Sequence, residues 1–105
     1  MDKIIVIGDG DTVLGFRLAG VAEAHETSGP EETERLVADA LSRPDAGILV
    51  ITQEVFESLG PRTRKELSSI AKPAVIEVPG KREIDRGSEN LGLLIKKVMG
   101  IELKQ

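Results

Sequence analysis

Residues 5–20 read IVIGDGDTVLGFRLAG, an apolar run entering a glycine turn flanked by Asp9 and Asp11. Many α/β proteins hold a phosphate at such a place, so each phosphate chemistry has a spacing to satisfy. A dinucleotide fingerprint requires Gly-x-Gly-x-x-Gly. Gly8 and Gly10 fit it, but the third position is Val13. A Walker loop requires Lys and Ser or Thr after Gly-x-x-x-x-Gly. Here Gly10 to Gly15 has the spacing and Phe16-Arg17 follows. Asp9 and Asp11 would also repel a phosphate. A receiver domain would use Asp9 and Asp11 to hold Mg²⁺, but it also needs an aspartate at the end of the third strand, where this chain has Val50-Ile51-Thr52-Gln53. A receiver's late lysine is missing as well, because Lys72 precedes the fourth strand. The turn therefore reads as a structural turn and a helix cap.

The remaining chemical inventory is thin. The chain has no cysteine, which excludes disulfides, thiolate catalysis and thiolate metal sites. One histidine, His25, cannot build a histidine-rich metal centre; on an edge strand with no motif around it, it reads as solvent-facing. Pro61-Arg62-Thr63-Arg64-Lys65 is a short basic cluster with Glu57 and Glu66 nearby, which reads as a solvated helix face. No nucleophile with its base, acid–base pair or metal cluster can be assembled, so the expectation is a non-catalytic protein with no cofactor and no metal.

A net charge of −4 over 105 residues argues against nucleic acid. Phe16 and Phe56 are the only aromatics, which removes stacking platforms for single strands. Apolar residues are 40% and charged residues 30%, the balance of a globular domain. A chain of this length buries roughly 65% of its unfolded surface, enough for one core. No apolar run approaches the roughly 20 residues needed to span a bilayer. The start, Met1-Asp2-Lys3 and a strand-like run, lacks a signal-peptide pattern. The expectation is a cytoplasmic-type domain without direct membrane insertion.

Alternating elements position these residues. Lys3–Gly8 (KIIVIG) is a β-branched run expected to be buried on both faces. Asp11 or Thr12 then caps a short helix carrying Val13, Leu14 and Leu18, with Gly20 as its end. Val21–Glu26 suits an edge strand. Ser28-x-x-Glu31 fits a capping box opening a helix whose stripe is Leu36, Val37, Ala40 and Leu41. Gly47–Thr52 (GILVIT) is the most apolar strand and should be central. Helix from about Gln53 to Ala71, broken at Gly60-Pro61, turns Val55, Phe56, Leu59, Leu67 and Ile70 inward. Pro73–Val78 makes the fourth strand, a charged loop covers Pro79–Ser88, and a last helix runs from about Glu89 to Met99.

The predicted class is α/β: a four-stranded parallel sheet in the order 2-1-3-4 with helices on both faces, flavodoxin- or receiver-like, plus a C-terminal helix. Residues 1–80 form the alternating core. Residues 81–105 form a charged linker and C-terminal helix of the same domain. At 100° per residue Leu91, Leu94, Ile95, Val98 and Ile101 share one stripe, whereas Leu93, Met99 and Leu103 fall outside it. A helix with apolar residues beyond its core stripe has a second surface to cover.

Three stretches together resemble a known family. They are GFRLAG (Gly15–Gly20) after the first strand, GILVITQ (Gly47–Gln53), and AVIEVPGK (Ala74–Lys81). The combination resembles the F subunit of the rotary V-type and archaeal A-type ATP synthases, over nearly the whole chain. That resemblance implies a non-catalytic central-stalk (rotor) subunit bound to the D subunit, the coiled coil of that stalk. It also implies that the C-terminal helix reaches the catalytic headpiece, and that the chain sits peripherally on the cytoplasmic side of a membrane-bound complex. The role implied is to couple ATP synthesis or hydrolysis to ion transport. The residues then assigned to partner contact are Phe16, Arg17, Leu93, Leu94, Met99, Ile101 and Leu103. A local alternative for the first two has Phe16 packed beneath the helix and Arg17 paired with Asp9 or Asp11. A receiver-like signalling domain and a small-molecule sensor using the crevice between strands one and three are the alternative functions.

Overall fold

In a computed structural model of the chain, the structure describes residues 2–80. Eight elements alternate: β1 (Lys3–Gly8), α1 (Gly10–Leu18), β2 (Glu23–Glu26), α2 (Pro30–Ser42), β3 (Ala46–Thr52), α3 (Gln53–Ser58), α4 (Pro61–Ser69) and β4 (Ala74–Val78). The four strands form one parallel sheet in the order β2-β1-β3-β4, as the sequence pattern predicts. The predicted linker and C-terminal helix, with Leu93, Leu94, Met99, Ile101 and Leu103, lie outside the described residues.

β-branched residues on successive positions let the two central strands bury both faces. Ile5 pairs with Leu49, Val6 with Val50 and Ile7 with Ile51. Because side chains alternate across a strand, this register sorts them into two cores. Ile5, Ile7, Leu49 and Ile51 meet Val37 and Ala40 of α2, then Val55, Leu59 and Leu67. On the other face Val6 and Val50 meet Val13 and Phe16 of α1, with Val21, Ala24 and Val78. Helix α1 therefore covers one face of the sheet, and α2, α3 and α4 cover the other.

Local chemistry sets the boundaries. Helix α1 starts earlier than expected, because Asp9 and not Asp11 or Thr12 is its N-cap. Gly20 ends the turn at φ +110°, a conformation that L side chains rarely adopt. Pro30 opens α2 after Gly29. The expected Ser28–Glu31 box is shifted by one residue: the Ser28 backbone N–H and hydroxyl both donate to Oε1 of Glu32. Gly60-Pro61 breaks α3 from α4, as its dipeptide requires.

Ion pairs gather at the amino edge of the sheet. Arg43 binds Glu23 through two nitrogens at 2.7 and 2.8 Å and Asp45 at 3.0 and 2.9 Å. Lys72 meets Asp2 at 3.1 Å, and Lys3 approaches Asp45 at 3.8 Å. The fork of Arg43 thus ties β2 to the turn before β3. The carboxyl edge, where proteins of this architecture place ligands, is left to a different set of residues.

Candidate functional site

In the order β2-β1-β3-β4 the direction of sheet growth reverses between β1 and β3, so the crevice at their carboxyl ends is the place to look for a site. A cleft of about 200 Å³ lies there, and Asp9, Thr33, Thr52, Glu54 and Ser58 are among its walls. Its polar groups serve the helices that begin around it. Asp9 Oδ2 accepts from the Thr12 backbone N–H at 3.0 Å, and its Oδ1 accepts from the Thr12 hydroxyl at 2.8 Å. The Thr52 hydroxyl accepts from Val55 N–H at 3.1 Å and so caps α3. The Thr33 hydroxyl donates to the Gly29 carbonyl at 2.7 Å, and Ser58 donates to the Val55 carbonyl at 2.8 Å.

These contacts limit the chemistry the cleft can do. Thr52 stands at the carboxyl end of β3, where a receiver carries its phosphate acceptor, and here its oxygen is a helix cap. A Cβ placed on Gly80 would lie 3.2 Å from Glu54 Oε1 and 3.6 Å from Asp9 Oδ1, so these two side chains meet at the exit of β4. Among the described residues, no group of three His, Asp or Glu side chains could hold a metal ion, and no helix is long and apolar enough to cross a membrane.

The glycine turn itself is a packing device. A Cβ on Gly8 would meet Thr52 Cγ2 at 2.7 Å, closer than real Cβ contacts allow. Gly8 therefore lets the end of β1 lie against the end of β3.

Phe16 and Arg17 separate in the structure. Phe16 is 2% exposed and packs with Val6, Val13, Val21 and Val50 in the core beneath α1. The expectation that its ring faces a partner is corrected: Thr12, Val13 and Phe16 fall on one side of the helix, and that side faces the sheet. The local alternative holds for Phe16, which lies beneath the helix. Arg17 Nη2 donates to the Ala24 carbonyl at 2.7 Å, tying α1 to the edge strand β2. Arg17 remains an exposed residue at the helix flank.

The sequence pattern groups Leu14 and Leu18 with Val13 on α1, and the structure turns these two leucines outside. They are 55% and 80% exposed. The helical wheel carries the signal. Once Phe16 is inward, positions 14 and 18 lie roughly 160° away on either side of the opposite face. The aromatic assigned to partner contact is buried, and Leu14 and Leu18 are exposed.

Comparison with known proteins accords with this geometry. The family model described as ATP synthase (F/14-kDa) subunit matches residues 4–94. An A-type ATP synthase F subunit of Archaeoglobus fulgidus is 35% identical over 103 residues, covering 98% of each chain. That of Methanothermobacter thermautotrophicus is 38% identical over 102 residues, covering 96% of this chain and 95% of the relative. Among solved structures, the V-type ATP synthase F subunit of Archaeoglobus fulgidus superposes with a TM-score of 0.68 at 34% identity, over 73% of this chain and 96% of the other. The chain belongs to the family of ATP synthase F subunits.

Proposed function

We propose that this member of the family is a non-catalytic rotor subunit in the central stalk of an A/V-type ATP synthase. In that role it is bound to the coiled coil of the stalk, the D subunit, and turns with it between the headpiece and the membrane ring. It takes part in coupling ATP synthesis or hydrolysis to ion transport, and it lies peripherally on the cytoplasmic side of the membrane-bound complex. The observation that carries this reading is the end-to-end correspondence with relatives named as F subunits of A-type ATP synthases, in which the match takes in nearly all of both chains.

The physical features support it. In the carboxyl-edge cleft, the usual seat of chemistry in this architecture, Asp9 and Thr52 cap helices and the Thr33 hydroxyl bonds back to the Gly29 carbonyl. What the chain offers instead is surface: an acidic domain with apolar residues turned outward on α1. A subunit that transmits torque needs an interface of the obligate kind, on the order of 2,000 Å² or more. In the proposed role Leu93, Leu94, Met99, Ile101 and Leu103 contribute to it together with Arg17, and the C-terminal helix is the route to the headpiece.

Native mass spectrometry of the full chain mixed with the coiled-coil stalk protein of the same organism tests the reading. A one-to-one complex is expected. Cutting the chain after Gly87 is expected to weaken that complex. Two folded chains that stay apart at micromolar concentration would overturn the stalk assignment.

A further inference from the structure

We draw no further inference here: the strongest candidate, the exposed Leu14–Leu18 face of helix α1, carries nothing, because nothing among the described residues shows what covers it.

Discussion

The carboxylate of Glu34, on α2, accepts a hydrogen bond from the backbone N–H of Gly60 at 2.5 Å, and its other oxygen accepts one from the Thr63 hydroxyl at 2.8 Å. Helix α4 begins with Gly60 as an N-cap that has no side chain to offer, and Glu34 of the neighbouring helix holds Gly60 and Thr63 of that first turn in place. The contact bridges 26 residues of chain and fixes where α4 starts relative to α2. Glu34→Ala should cost about 1–2 kcal/mol, the usual loss when a helix cap is removed. Urea unfolding measures it, and an unchanged midpoint would show that water replaces the carboxylate without loss.

The same contact predicts a pH dependence. Hydrogen bonds from Gly60 and Thr63 hold Glu34 below its ordinary value of 4.5. The hydrogen bonds from Arg43, reinforced by its charge, lower Glu23 and Asp45 as well. Groups whose folded values are depressed give stability that is fully present above their unfolded values and is lost as pH falls through the folded ones. The melting temperature should therefore be flat from pH 7 to about pH 5 and fall below it. Glu34→Gln should flatten part of that fall; a variant with the same acid limb as wild type would assign the loss to other carboxylates.

Phe16 is a core residue in this structure, and its truncation should behave as one. Phe16→Ala removes a side chain packed against Val6, Val13 and Val50 and should cost about 3–5 kcal/mol. Denaturant titration decides it. A loss of partner binding with no loss of stability would instead return the ring to the surface.

Gly8 and Thr52 form a tight pair whose dependence is measurable. Gly8→Ala drives a methyl into Thr52 Cγ2 and displaces the residue whose hydroxyl caps α3, at a cost of about 1–3 kcal/mol. Thr52→Ser removes the clashing methyl and keeps the oxygen. In a double-mutant cycle the serine should recover most of the loss; additive losses would mean that the clash is relieved elsewhere.

Much of this protein is legible in its residues. The β-branched runs KIIVIG and GILVIT, the break at Gly60-Pro61 and the weak second strand dictate an alternating parallel sheet with β2 at an edge. These signals are local: periodicity, propensity and turn chemistry act over a few neighbours. The glycine turn likewise shows in the sequence alone that it meets neither the dinucleotide nor the Walker spacing. The GFRLAG, GILVITQ and AVIEVPGK stretches carry the family.

Tertiary structure decided what local patterns leave open. Helix α1 is nine residues long with apolar side chains around much of its circumference, so its sequence does not say which side meets the sheet. Packing against Val6 and Val50 chose Phe16 and turned Leu14 and Leu18 out. Arg17 has carboxylates close in sequence, and the parallel pairing of β1 with β2 placed the Ala24 carbonyl within its reach instead. The carboxylate that holds the start of α4 came from a residue 26 positions away. In each case the deciding partner lies beyond the reach of local pattern, and only the closed sheet brings it near.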